Sequence, residues 1–300
     1  MITQTIELLI TAPAFIKVGV FFGMWLLCWL PLAVPTAIAL QWHPFQPITE
    51  KQKLPLLATL YFVAPLLVWG WASLEGQSLA DYGLPLRLSV LRSLAIGLVV
   101  GVVGLGLLFA LEQRLGWVQW RSPQLPQTAS VPNGEFTEPT ESTEPKELTE
   151  PLPSLSAIWL PTLLIGLWVG FTEELVFRGF LINLLHPLGA IASAAIASVI
   201  FALLHLVWEG RTTMPQLPGL WLMGMVLVLA RWVDGGNLGL AWGLHAGWVW
   251  AIASLDTAHC LTYGDRVPAW VTGIAGKPLA GMMGISFLLL TGMGLRVLLN

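Results

Sequence analysis

Charge is what this chain has least of: its 300 residues hold fourteen Lys or Arg and seventeen Asp or Glu, 10% together. An ordinary soluble domain carries about 25%, so a water-soluble globule is excluded. The net charge of -3 is too small to attract a polyanion, and no nucleic-acid partner is expected. Only two cysteines occur, Cys28 and Cys260, which rules out a disulfide framework. No H-E-x-x-H pattern offers a zinc site of that kind, and no Gly-x-Ser-x-Gly turn offers a serine nucleophile.

What fills the chain is apolar. Hydrophobic residues make up 56%, Trp occurs 16 times, and the mean hydropathy is +0.75. Runs close to the roughly 20 residues that cross a bilayer recur near Phe15–Leu40, Leu54–Leu74, Leu94–Leu111, Ala157–Gly170, Ala190–Val207, Leu217–Val233, Leu238–Leu255 and Met282–Leu298. They predict an all-α, polytopic membrane protein of about eight spans with both termini on one side. The first run exceeds the ~7 to 15 residues of a secretory h-region, and no small-residue cleavage pattern follows it, so it reads as a span, kinked by Pro31 and Pro35. Lys and Arg are distributed over loops of both sides, which leaves orientation open.

One segment departs from this pattern. From Ser122 to Ser156 the chain is rich in Pro, Thr, Ser and Glu, with Thr-Glu-Pro at Thr137-Glu138-Pro139, Thr143-Glu144-Pro145 and Thr149-Glu150-Pro151. Such composition cannot bury a core and predicts a disordered, extended loop. A hydrated spacer is the simple reading, and an acidic tether for a partner the sharper one. The expected organisation is an N-terminal membrane region over residues 1–121, the loop over 122–156, and a C-terminal membrane region over 157–300. The last holds every candidate catalytic group.

Those groups begin at Phe171-Thr172-Glu173-Glu174-Leu175-Val176-Phe177-Arg178. Two carboxylates and a guanidinium in an apolar span are costly and mark function. On a helix Glu174 and Arg178 are i,i+4 neighbours in the favourable order and should pair. Glu173 lies about 100° around from Glu174, so the two acids are expected to face different neighbours, leaving Glu173 as the acid without a local partner. A carboxylate so placed can take a proton from water. His205 and His245 are lone histidines in later apolar segments. The default for His205 alone is a hydrogen-bonded packing residue, whereas His245 sits in Gly243-Leu244-His245-Ala246-Gly247-Trp248, whose small residues allow close helix approach.

Taken in order, these residues resemble the CPBP intramembrane proteases, also called the Abi or CAAX-protease family, which includes the Rce1-type CAAX prenyl endopeptidases. The family pattern E-E-x-x-x-R is matched by Glu173, Glu174 and Arg178. F-x-x-x-H is matched by Phe201 and His205, and H-x-x-x-N only at His245, because Val249 occupies the Asn position. The resemblance runs from about Leu155 to Trp250; Asp81-Tyr82-Gly83-Leu84 looks like an N-terminal feature of such proteins.

The resemblance implies a chamber among the later helices that hydrolyses peptide bonds of membrane-associated substrates, some of them lipid-modified. Glu173 with His205 would activate a water and His245 would help stabilise the oxyanion. Val249 cannot donate a hydrogen bond, and the Trp248 indole N–H is a candidate replacement, against its simpler role in packing. The family is commonly described as metalloprotease, and Glu173, His205 and His245 would be the ligands of a catalytic zinc. A metal-free site with Glu173 as base conflicts less with the Glu174–Arg178 pair. A non-catalytic scaffold or a proton-coupled transporter could bury the same cluster, although no inverted repeat relates the halves. The expected partners are the bilayer itself and a membrane-associated peptide or protein, and the expected location is the cell membrane.

Overall fold

A computed structural model describes residues 2–43, 46, 48–121, 155–264 and 266–298. The stretch expected to be a disordered spacer lies outside the described residues from 122 to 154, and Leu155 and Ser156, its last two, open a helix.

The protein is a helical, polytopic membrane protein. Before the spacer come α1 (Ile2–Thr11), α2 (Ala14–Ala39), α3 (Glu50–Leu74), α4 (Leu88–Arg114) and the short strand β1 (Val118–Trp120). After it come α5 (Leu155–Glu173), a π-helical segment (Glu174–Leu181), α6 (Ile182–Leu185), α7 (Ala190–Glu209), α8 (Leu217–Val233), α9 (Gly239–Thr257), β2 (Leu261–Tyr263), α10 (Ala269–Thr272) and α11 (Met282–Leu298). β1 and β2 pair antiparallel, with Val118 opposite Tyr263, and so join the two halves.

Among the described residues, five stretches are long and apolar enough to cross a membrane: Ala14–Ala39, Lys51–Leu74, Leu88–Arg114, Ala157–Leu188 and Ala190–Val233. The last, 44 residues long, contains both α7 and α8. α11 is a shorter apolar helix. α9 is not among the five; its His245 is buried inside the bundle, whereas Asp256 near its end is exposed. The outward surfaces are apolar, as Leu27 at 65% and Ile38 at 72% exposure illustrate, which fits lipid as solvent.

α9 lies between α4 and α5. Gly239, Gly243 and Gly247 form a small-residue stripe on α9, and Gly97 and Gly101 form its counterpart on α4. A Cβ on Gly243 would come within 2.7 Å of Leu98 N and 2.9 Å of Gly97 Cα. Backbones this close gain the packing that drives association of helices in lipid. The start of α9 is fixed separately. Asp234 at the end of α8 accepts from Leu240 N at 3.1 Å and from Ser93 Oγ of α4 at 2.7 Å, and Leu238 N donates to Gly83 O at 2.8 Å.

That carbonyl belongs to the Asp81–Leu84 stretch. Gly83 has φ +88°, a conformation that glycine adopts without strain, and it lets the turn meet α9. Tyr82 is buried and packs edge-on to Phe180, 5.9 Å between centroids. Phe180 also stacks on Phe21 of α2 at 4.2 Å and meets Trp71 of α3 at 5.4 Å. This aromatic cluster fastens the N-terminal helices onto the π-helical segment.

Candidate active site

The helix that begins as α5 widens at Glu174, and all eight residues from Glu174 to Leu181 are buried. A π-helical interruption of this kind is rare and is found often at functional sites. Glu174 Oε1 accepts from Arg178 Nη1 at 3.0 Å, the pair expected from the spacing, with both side chains 1% exposed. The same oxygen lies 2.7 Å from His245 Nδ1 of α9. Since a carboxylate oxygen only accepts, Nδ1 carries the proton of that bond. The other ring nitrogen, Nε2, is 3.5 Å from Glu173 Oε2.

The expectation that the two acids face different neighbours is therefore corrected: both reach one imidazole. The angle between them is real, but His245 enters from α9 with nitrogens on two edges of its ring, so one acid meets each edge. Glu173 also has a partner the spacing could not show, because Tyr61 of α3 donates its hydroxyl to Glu173 Oε1. Glu173 Oε2 is buried and has no hydrogen-bond partner among the described residues. Of the two acids Glu173 is the less enclosed, at 8% exposure against 0% for Glu174.

His205 makes its own hydrogen bond on α7. It is half-buried, and its Nδ1 lies 2.9 Å from the carbonyl oxygen of Phe201. A carbonyl cannot donate, so Nδ1 carries the proton and the lone pair of the neutral ring is on Nε2. The ring of Phe201 links the two parts. It packs 4.7 Å from His205 and 6.1 Å from His245, and the Arg178 guanidinium lies 4.4 Å above its centroid. Glu173 thus meets Tyr61 and His245.

Val249 is half-buried one turn beyond His245. Trp248 packs on Phe287 of α11, 6.1 Å between centroids, and its indole nitrogen is buried without a hydrogen-bond partner among the described residues. That places its ring in the packing between α9 and α11.

The expected zinc set Glu173, His205 and His245 is not brought together as one cluster among the described residues. His245 is held through Nδ1 on Glu174, and His205 is held through Nδ1 on the carbonyl oxygen of Phe201. Among the described residues no three His, Cys, Asp or Glu side chains are grouped to hold a metal ion.

Two further polar residues support the cluster. Arg231, in the last turn of α8, is buried and donates to the carbonyl oxygen of Arg178, to Gly236 O at 3.0 Å and to Asn183 Oδ1 at 3.0 Å. It ties the π-helical segment to α8. Sequence offered a signal for Arg231, an ionisable group in an apolar helix. For Tyr61 the signal was fainter: a phenol inside a span needs a partner.

Residues 155–251 match the family model described as Type II CAAX prenyl endopeptidase Rce1-like. No curated protein and no solved structure matches the chain. The matched segment begins with α5 and ends within α9, and it contains both acids, Arg178 and both histidines. Over these residues the chain carries an Rce1-like domain of the CPBP family.

Proposed function

We propose that this protein is an intramembrane endopeptidase that hydrolyses peptide bonds of membrane-associated substrates, with Glu173 as general base. The observation that carries this reading is Glu173 Oε2: a buried carboxylate oxygen without a hydrogen-bond partner, 3.5 Å from His245 Nε2, on the more accessible acid of the pair. Water bound there gives its proton to Oε2 while its oxygen attacks the scissile carbonyl carbon. The tetrahedral intermediate then expels the amine, which takes the proton back from Glu173. His205 contributes the free Nε2 lone pair, which accepts the second hydrogen of the same water and directs its attack. His245, joined to both acids, acts by holding them in place, instead of the oxyanion role that the resemblance implies. Glu174 and Arg178 neutralise each other and anchor that imidazole.

The substrate class follows the family description. A peptide ending in a prenylated cysteine motif, in a bilayer, is the first candidate. Full-length protein in liposomes with such a peptide tests the reading. Glu173→Gln should lower kcat by about 100-fold or more, the usual contribution of a positioned base. Cleavage at the parent rate in Glu173→Gln overturns the proposal.

A further inference from the structure

We infer that α3 completes the active site, with Tyr61 as a positioning residue for Glu173. The inference rests on the reading of Glu173 as general base. Tyr61 lies in the N-terminal half, separated from Glu173 by the whole spacer and outside residues 155–251, yet its hydroxyl donates to Glu173 Oε1 in a buried contact. A glutamate carboxylate turns freely about its last bond, and its two oxygens are equivalent until something distinguishes them. The phenol does so. With Oε1 taken by Tyr61, Oε2 is the oxygen left toward His245 Nε2 and the one free to take a proton. A neutral phenol can hold that bond at neutral pH without adding a charge to a cluster that already contains two acids and a guanidinium.

α3 is held where this requires. Trp25 Nε1 of α2 donates to Leu60 O, the residue before Tyr61, at 2.9 Å. Trp71, further along α3, joins the aromatic cluster on Phe180. Two turns before Tyr61, Lys53 lies 3.7 Å from Glu209, one turn past His205 on α7. One helix from the N-terminal half therefore touches the base directly and the His205 helix near its end. The Rce1-like segment by itself lacks this contact, so its chemistry depends on the helices that precede the spacer.

Tyr61→Phe in the full-length protein, reconstituted in liposomes with a membrane peptide substrate, tests the inference. The expected result is a kcat lower by about 10- to 100-fold, the range for a lost hydrogen bond to a charged group, with KM within twofold and an unchanged melting temperature. A kcat within twofold of the parent overturns it. A rise in KM alone, or an activity loss that follows a lower melting temperature, also overturns it, because both indicate packing. Glu173→Asp provides the second variant. Its carboxylate is withdrawn by one methylene from the phenol, so adding Tyr61→Phe should cost less than twofold more, whereas additive losses refute positioning. Glu173→Gln run alongside separates the two proposals. An active Glu173→Gln refutes the base, while an inactive Glu173→Gln with a fully active Tyr61→Phe refutes only the role of Tyr61.

Discussion

His245 meets Glu174 through Nδ1 at 2.7 Å, on the same carboxylate oxygen that Arg178 holds at 3.0 Å. Two donors thus converge on one acceptor in a fully buried position, and the pair links α9 to the π-helical segment. The consequence is a division between neighbouring acids: Glu174 is tied to two donors, and Glu173 keeps one oxygen without a hydrogen-bond partner among the described residues.

Glu174→Ala removes the acceptor and leaves Arg178 and His245 buried without their partner. Breaking a buried pair on one side costs about 3 to 5 kcal/mol. Thermal unfolding in detergent should show that loss, with Glu173→Gln much closer to the parent. Equal destabilisation by both substitutions would contradict the division.

Gly243 and Gly106 make a matched pair of substitutions. Alanine at Gly243 drives a methyl into the α4 backbone, with Gly97 Cα at 2.9 Å, which should cost about 1 to 3 kcal/mol. It also displaces His245, two residues along, and kcat should fall at least tenfold. Gly106 on α4 has nothing within 4 Å, so Gly106→Ala should keep activity and gain about 0.5 kcal/mol from helix propensity. Melting temperatures and initial rates of the two variants check this.

Phe201 is predicted to hold the two histidines and Arg178 in register. Phe201→Leu removes the face beneath the guanidinium and should destabilise by about 2 kcal/mol, the size of a desolvated cation–π contact. Chemical denaturation of purified protein measures it. A change below about 0.5 kcal/mol would mean that the ring merely fills space.

Asp81 gives a pH dependence outside the membrane spans. Its carboxylate accepts from Ser78 N at 2.8 Å and Ser78 Oγ at 2.9 Å, and these bonds hold its carboxyl below the ordinary value of 3.8. A depressed folded value means that the stabilisation is fully present above about pH 4 and is lost as pH falls through the folded value. Hydrogen exchange at Ser78 N should accelerate only in that acid window, whereas in Asp81→Asn it should no longer respond to pH there.

Much of this protein was legible in its residues. Scarcity of charge and repeated apolar runs specify a helical membrane protein, since only intramolecular hydrogen bonds satisfy a backbone in lipid. The i,i+4 spacing of Glu174 and Arg178 specified their pair, because a helix places them side by side whatever surrounds it. The Gly243 and Gly247 stripe announced a close helix contact beside His245. Each of these follows from local geometry or from the solvent, and none depends on the rest of the fold.

Partnership across the chain was another matter. That one imidazole would satisfy both acids depends on how α9 inserts against a widened helix, and periodicity carries no such information. That Tyr61 reaches Glu173, 112 residues further along the chain, depends on how α3 docks. Residues alone determined the solvent of this chain, its helices and the ionisable groups placed in apolar segments, because those are properties of short segments. Tertiary packing alone decided which oxygen of which acid is left free, because that depends on neighbours brought from remote helices.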